Sequence, residues 1–207
     1  MPRVGILGGA FNPPHLGHLV CAQEALVQLE LDRVVLVPVG QAPHRTIADD
    51  PGAEARLEMT ELATEGDPSL SVSRIELDRP GPSYTADTLA ALREVAPDDE
   101  LTLILGGDQA AALPSWHEPE RVLELARVAA VARVDWAREE IVRSVAGLTG
   151  ADRLTFVHMP LIEISSSDVR ERIARGMPIR YLVPGPVADY IAEHGLYLAG
   201  ERTGASR

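Results

Sequence analysis

The stretch "VGILGGAFNPPHLGH" at residues 4–18 joins a short apolar run to the start of a helical pattern through a turn rich in glycine and proline. The apolar run predicts a strand over 3–7, and the residues after the turn predict a helix over 16–29. Two histidines fall in or next to this turn, although an ordinary strand-to-helix connection requires none. The stretch therefore marks both the first β–α unit and a candidate functional site.

The same alternation of apolar runs and amphipathic stretches continues along the chain. Further strands are predicted over residues 33–39, 70–77, 101–105, 127–133 and 154–159. Further helices are predicted over residues 53–65, 84–95, 118–126, 136–147, 167–175 and 186–194. Several strand runs are apolar on both faces, as expected for parallel strands covered by helices. We therefore predict an α/β fold, a single doubly wound Rossmann-like parallel sheet with helices on both faces and a C-terminal helical segment, which binds ligands at the carboxyl ends of its strands.

Composition limits the classes of protein that fit this chain. Its 207 residues, 45% of them hydrophobic, predict one domain over 1–200, and the polar residues 201–207 predict a disordered tail. No run approaches the length of a membrane span and no signal-peptide pattern is present, so we expect a cytoplasmic protein that does not engage a membrane. A net charge of −12 argues against a nucleic-acid partner. All 19 basic residues are arginines, so phosphate contacts would use planar, permanently charged groups.

The residues of the first turn indicate a phosphate-binding loop, although they match neither GxGxxG nor the P-loop pattern. Gly8 and Gly9, followed by Ala10 and Phe11, let backbone amides approach an anion, and a helix start with free N–H groups would face the same point. His15 and His18 share one face of the first helical turn and could donate to phosphate oxygens. Zinc is a weaker alternative because a third ligand is missing from the pattern.

A second stretch, "ISSSDVRERI" at residues 164–173, begins another helix. Ser165 or Ser166 with Asp168 would form a simple N-terminal cap. That interpretation leaves Arg170 unexplained, because a cation in the first turn opposes the helix dipole. A phosphate bound at this helix start would account for it.

The two stretches together resemble the motifs of one superfamily. "GGAFNPPHLGH" is similar to the GxFxPxHxGH motif of the HxGH nucleotidyltransferases, which join a nucleotide to a phosphorylated small molecule. Residues 164–170 resemble the ISSTxxR motif that closes the triphosphate site in the same proteins, with Ser167 where threonine is usual. The hydroxyl is retained, so this departure should cost little.

Three central segments carry further candidate residues. "PVGQAPHR" (38–45) ends in His44 and Arg45, "GPSYTADTLAAL" (81–92) offers Ser83, Tyr84 and Thr85, and "LGGDQAAALPSWHE" (105–118) offers Gly106, Asp108 and Trp116. Each has a plain alternative: a basic solvent-exposed loop, a helix capped by Ser83 or Thr85, and a tryptophan that covers the core. With Arg133 after the fifth strand, these segments resemble the nicotinate-mononucleotide adenylyltransferase family over residues 3–198. Arg45 replaces the commoner lysine, and "RVDWA" replaces the usual Arg-Pro-Gly, which weakens the case for Arg133.

This resemblance implies a reaction and a set of roles. The partners would be ATP and nicotinate mononucleotide, with Mg²⁺ as cofactor bridging the triphosphate. It implies His15, His18 and Arg170 as catalytic residues. The implied ATP site comprises Gly8, Gly9, Ala10, Phe11, His15, His18, Gly106, Asp108, Ile164, Ser165, Ser166, Ser167 and Arg170. The implied substrate site comprises His44, Arg45, Ser83, Tyr84, Thr85, Trp116 and Arg133.

Other functions stay open at this point. Nicotinamide mononucleotide or phosphopantetheine could be the acceptor, because the surroundings of one carboxylate decide between acid and amide. A nucleotide-sensing module without turnover is a further alternative from a different class. The sequence also leaves open whether the chain forms a homo-oligomer.

Overall fold

The computed structural model describes residues 1–43, 46–131 and 135–198, apart from the side chains of 135–137. Within these residues six parallel strands form one sheet in the order β3-β2-β1-β4-β5-β6. The strands are β1 (Arg3–Gly9), β2 (Arg33–Pro38), β3 (Leu70–Val72), β4 (Glu100–Gly106), β5 (Arg127–Val131) and β6 (Leu154–Val157). The order reverses between β1 and β4, which places the predicted ligand-binding edge at the end of the first strand.

The helices connect these strands and close the C-terminal region. They are α1 (Leu16–Gln28), α2 (Ala53–Thr64), α3 (Thr85–Val95), α4 (Gly107–Ala112), α5 (Pro119–Leu125), α6 (Asp135–Val145), α7 (Ser166–Ala174) and α8 (Gly185–Glu193). The predicted fold class and its C-terminal helical segment are confirmed. The predicted tail at 201–207 lies outside the described residues, and the single domain over 1–200 stays a prediction.

Alternation along the strands explains why both faces of the sheet are covered. Leu103 and Leu105 pack with residues of α3 to α6 in one core cluster, whereas Ile104 packs with α1 in another. Val128 and Ala129 divide between the same two clusters. A third cluster joins α2, α7 and α8. Because successive side chains in a strand point to opposite faces, a run that is apolar at every position needs helices on both sides.

Two local predictions were wrong. The strand predicted over 70–77 ends at Val72, because Arg74 begins a turn in which its carbonyl accepts from the N–H groups of Leu77 and Asp78 and its Nε donates to the Asp78 carboxylate at 2.8 Å. Helix α4 was missed because it is only six residues long and two glycines, Gly106 at its N-cap and Gly107 at its first position, stand at its start. The other element boundaries agree with the sequence prediction to within two residues, except that the predicted end of the fifth strand falls among residues 132–134, which lie outside the description.

Candidate active site

The loop after β1 is shaped by one residue in an unusual conformation. Phe11 has a positive φ of 48°, and its buried ring meets the ring of His18 edge-on at a centroid distance of 5.0 Å. A left-handed non-glycine residue is uncommon and marks a backbone that the surrounding contacts hold in place. The chain then extends through His15, which is the N-cap of α1. The predicted start of this helix at residue 16 is confirmed.

His15 and His18 form a stacked pair at the start of α1. Their ring centroids lie 3.8 Å apart with an interplanar angle of 28°. His18 Nδ1 accepts a hydrogen bond from the backbone N–H of His15 at 3.2 Å. A neutral imidazole that accepts at one nitrogen carries its proton on the other, so Nε2 of His18 is the donor. Nδ1 of His15 is buried and makes no hydrogen bond to any described residue.

Both rings are neutral at physiological pH. Burial lowers the pKa of His15 to about 4, against the opposing charge of Asp168. Burial lowers the pKa of His18 to about 3, and the neighbouring His15 adds to the effect. The pair therefore offers N–H groups to an anion and no positive charge of its own.

Helix α7 brings the second stretch against the first. The Ser166 hydroxyl donates to the Pro13 carbonyl at 2.8 Å, and Nη1 of Arg170 donates to the Asn12 carbonyl at 2.9 Å. Two segments about 150 residues apart in sequence thus meet at one point of the sheet edge. Arg170 is the fifth residue of α7, so its placement in the first helical turn was wrong. Its side chain reaches back along the helix, and its Nη2 lies 3.4 Å from the Ser167 hydroxyl.

Some polar groups at the starts of α1 and α7 are already hydrogen-bonded within the protein. Ser165 caps α7 as predicted: its hydroxyl accepts from the Asp168 N–H at 3.1 Å and donates to the Asp168 carboxylate at 2.6 Å. The Leu16 N–H donates to the Leu182 carbonyl at 3.0 Å, so this group is not among the free N–H groups expected at the start of α1. The N–H groups of Ser166 and Ser167 make no hydrogen bond within the described part of the chain. They leave α7 with two donors for an anion.

The guanidinium of Arg170 also has an acidic neighbour. Its Nε donates to the Asp49 carboxylate at 3.2 Å, and the Asp49 side chain is largely exposed. The Arg170 side chain is mostly buried, but water screens the exposed carboxylate and weakens its hold on the guanidinium. An incoming phosphate can therefore compete with Asp49 for the guanidinium at low cost.

The ends of β1 and β4 leave open space between the two halves of the sheet. Gly8 is exposed, and a Cβ built there or at Gly106 would meet no atom within 4 Å. Gly106 precedes α4, and Asp108 lies exposed in the first turn of that helix. A ligand could approach the backbone closely at both glycines, with the Asp108 carboxylate within the same helix turn.

A cavity of about 470 Å³ opens beside this edge. Its lining includes the predicted Ser83, Tyr84, Thr85 and Trp116. Tyr84 stands at the N-cap position of α3, and the Ser83 hydroxyl accepts from the Gln41 N–H at 3.2 Å, so neither Ser83 nor Thr85 is the cap residue. The Tyr84 ring lies against His117 at 4.2 Å. The cavity walls combine apolar side chains with several polar ones, which suits a planar heterocycle that carries polar groups.

The remaining predicted site residues fall outside the description. His44, Arg45 and Arg133 belong to the segments that the structure does not describe. Among described residues, no group of three or more His, Cys, Asp or Glu side chains could hold a metal ion. No helix in the described ranges has both the length and the apolar character needed to cross a membrane.

Comparison with known proteins decides the family. A family model described as cytidylyltransferase-like matches residues 6–172. A probable nicotinate-nucleotide adenylyltransferase of Thermomicrobium roseum is 42% identical over 95% of this chain and 92% of its own length. One of Thermus thermophilus is 45% identical over 94% of this chain and 99% of its own length. The chain belongs to the nicotinate-nucleotide adenylyltransferases of the cytidylyltransferase-like family.

The solved structures agree with this family at the level of the fold. The Plasmodium falciparum nicotinic acid mononucleotide adenylyltransferase complexed with NaAD superposes with a TM-score of 0.75 at 18% identity, covering 95% of this chain and 98% of that one. A Vibrio parahaemolyticus protein described as a putative nicotinate-nucleotide adenylyltransferase gives a TM-score of 0.67 at 20% identity, covering 95% and 96%. The resemblance drawn from the sequence motifs is confirmed.

Sequence analysis missed several residues that hold this adenylyltransferase site together. Arg56 is 1% exposed, and Asn12 and Glu76 are also buried. The Asn12 side chain donates to the Ala48 carbonyl and accepts from the Tyr197 hydroxyl, each at 2.7 Å. One signal was available for Arg56, because the apolar Met59 and Ala63, three and seven residues later in α2, lie on the same helix face. An arginine within a buried helical stretch indicates a buried polar partner.

Gly17 allows a direct test of the histidine pair. A Cβ at residue 17 would lie 3.0 Å from Nδ1 and Cε1 of His15, closer than side chains normally pack. Gly17→Ala should push the His15 ring aside and lower turnover roughly 10-fold or more, because small misplacements of a positioned group are costly. Gly147→Ala, where a Cβ meets no atom within 4 Å, is the matched control and should keep full activity. Equal activity of the two variants would contradict a positional role for His15.

The histidine pKa values predict that stability falls between pH 7 and pH 5. An unfolded histidine takes up a proton near 6.5, whereas folded His15 and His18 stay neutral down to about 4 and about 3. The unfolded state therefore binds more protons in this window, which lowers the free energy of unfolding by up to about 2 kcal/mol for each histidine. Denaturant titrations at both pH values test this. His18→Asn should lose less stability than the wild type, and an equal loss would refute the linkage.

Proposed function

We propose that this protein transfers AMP from ATP to nicotinate mononucleotide, which gives nicotinate adenine dinucleotide and pyrophosphate. The observation that supports this most directly is the junction of Ser166 and Arg170 with the loop after β1. It assembles a glycine turn, a neutral histidine pair and a guanidinium around one point. The cavity lined by Thr85 and Trp116 lies at the same edge of the sheet and has room for a pyridine ring.

The chemistry needs no general base. An oxygen of the mononucleotide phosphate, already an anion, attacks the α-phosphorus of ATP and forms a new P–O bond. The bond from the α-phosphorus to the bridging oxygen breaks, and pyrophosphate leaves with that electron pair. The protein then acts by positioning two nucleotides and by stabilising charge on the transferring group.

The histidines and α7 would hold the triphosphate. Nε2 of His18 donates to a phosphate oxygen, and the neutral ring of His15 packs beside it. The N–H groups of Ser166 and Ser167, the Ser167 hydroxyl and Arg170 contact the β- and γ-phosphates. The Ser165 hydroxyl is already bonded to Asp168, so Ser165 contributes by capping α7 and not by contacting a phosphate.

The other predicted residues would bind the two nucleosides and the acceptor phosphate. Gly106 and Asp108 hold the adenosine ribose, with Asp108 accepting from its hydroxyls. Thr85 and Trp116 frame the pyridine ring, and Arg45 orients the mononucleotide phosphate. Mg²⁺ held through the ATP phosphates would neutralise charge on the transferring group.

The decisive experiment is a side-by-side assay of the acid and amide mononucleotides with ATP and Mg²⁺, with pyrophosphate release as the readout. We expect the acid to be the better substrate. A preference for nicotinamide mononucleotide would overturn the substrate, and phosphopantetheine serves as a third acceptor. Nucleotide binding without pyrophosphate from any acceptor would favour a sensing module instead.

A further inference from the structure

The loop after β2 is held between the two halves of the site at Gly40. On one side, the Gly40 carbonyl accepts from Nη2 of Arg56 at 3.5 Å. On the other side, its N–H donates to the carboxylate of Glu76. A Cβ at this position would lie 2.4 Å from the backbone oxygen of Glu76, so only glycine lets the two loops approach this closely.

Arg56 connects this loop to the phosphate side of the site. Its Nη1 donates to the Ala10 carbonyl at 3.1 Å, within the loop after β1. Its Nε donates to the Asp50 carboxylate at 2.9 Å. A guanidinium that is 1% exposed is costly to bury, and the Asp50 charge together with two carbonyl acceptors offsets that cost. The side chain therefore links Ala10 and Gly40 at a fixed separation.

Glu76 connects the same loop to the acceptor cavity. Its carboxylate accepts from the Thr88 hydroxyl at 2.8 Å and also from the Ser83 hydroxyl. Thr88 lies in the first turns of α3, directly after Tyr84 and Thr85 at the cavity wall. Burial raises the pKa of Glu76, whereas its hydroxyl and N–H donors act in the opposite direction. A buried carboxylate with several donors has little freedom to move.

We propose that Arg56 and Glu76 are positioning residues that act through Gly40 to set the distance between the ATP half and the acceptor half of the site. This inference rests on the proposed transfer between two bound nucleotides. The attacking oxygen has to meet the α-phosphorus at close range, and an error of 1 Å can lower the rate about 10²-fold. Arg56 is buried and is not part of the cavity lining, and the Glu76 carboxylate at the cavity wall is already bonded to protein donors, so each acts by holding loops in register.

Three variants test this connection from both sides. Arg56→Lys keeps the charge beside Asp50, but a compact ammonium cannot span the three separate acceptors that the planar guanidinium reaches through its three nitrogens. Glu76→Gln removes acceptor capacity, and Gly40→Ala forces the two loops apart. Arg93→Lys is the matched control, since Arg93 donates to the Leu125 carbonyl at the opposite end of α3.

Measuring kcat and Kd separately distinguishes a change in the distance between the bound nucleotides from a change in their affinity. We expect kcat with saturating ATP and nicotinate mononucleotide to fall on the order of 10²-fold in Gly40→Ala and Arg56→Lys, and at least about 10-fold in Glu76→Gln. The calorimetric Kd of each nucleotide alone should change by less than about threefold in the same variants, and Arg93→Lys should leave kcat unchanged. Circular dichroism identifies the variants that fold. If Arg56→Lys does not fold, Gly40→Ala and Glu76→Gln decide the result.

Two outcomes would overturn the inference. Unchanged kcat in folded variants would show that the distance does not depend on these residues. A loss of kcat matched by an equal loss of affinity for one nucleotide would make the residue a support for that subsite alone. A wild-type protein without turnover would remove the proposed function and this inference together, whereas an active wild type with active variants removes only the inference.

Discussion

His18→Ala is expected to lower turnover roughly 10²- to 10³-fold, the usual effect of removing one preorganised donor. Nδ1 of His18 is bound to the His15 N–H, and the ring is fixed between His15 and Phe11. Its Nε2 donor therefore needs no reorganisation when charge develops on a phosphate. Loss of the capping contact should cost about 1 kcal/mol of folding free energy, so the variant remains folded. Steady-state pyrophosphate release measures the effect.

The control for this substitution is His158→Ala. The backbone of His158 bonds to Gln28, the last residue of α1, at the opposite end of the helix whose first turn contains His18. This variant should keep wild-type turnover. If His18→Ala turned over at a near-normal rate, the histidine pair could not be the donor to the transferring group, and the assignment of the loop after β1 would fail.

Arg170→Ala should raise the KM for ATP and lower kcat/KM for ATP roughly 10- to 100-fold, because hydrogen bonds to charged groups are worth about 1.5–3 kcal/mol. The KM for the mononucleotide should change much less. Arg170 also bonds to the Asn12 carbonyl, so we expect a modest loss of stability as well. Initial rates at varied ATP, with the melting temperature measured in parallel, separate the two effects.

Arg172→Ala is a matched control on the same helix. Its guanidinium donates to the Pro178 carbonyl and does not contact the loop after β1. ATP kinetics should be unaffected in this variant. If Arg170→Ala lost stability with unchanged ATP kinetics, Arg170 would be a structural link between α7 and Asn12 and not a phosphate ligand.

The parts of this molecule that could be predicted from sequence are those encoded locally. The apolar run before Gly8 predicts β1, and the proline pair followed by His15 predicts where α1 begins, because strand alternation and helix capping depend on a few neighbouring residues. Ser165 and Asp168 form the predicted cap for the same reason. Only the resemblance to a known superfamily indicated that the motifs at residues 8–18 and 164–170 form one site, because no local rule connects them.

The parts that escaped prediction depend on long-range contacts. Arg56 lies in α2 among apolar residues, and its role follows from carbonyls at Ala10 and Gly40 that belong to other loops. Strand alternation predicted that β3 continues through Glu76. The strand ends before it, and Glu76 is a buried residue of the turn that follows. Tyr197 reaches Asn12 across 185 residues. Propensity and periodicity report on neighbours in sequence, so such contacts leave almost no trace in a single chain.

The contacts around the loop after β1 also set the order in which the site can form during synthesis. Asn12 and Pro13 leave the ribosome among the first residues, but Ser166, Arg170 and Tyr197 are translated much later. Closing such distant pairs is entropically slow and occurs late in folding. A nascent chain that has already paired β1 with β2 therefore still lacks the proposed ATP site, which is complete only when the last helices dock.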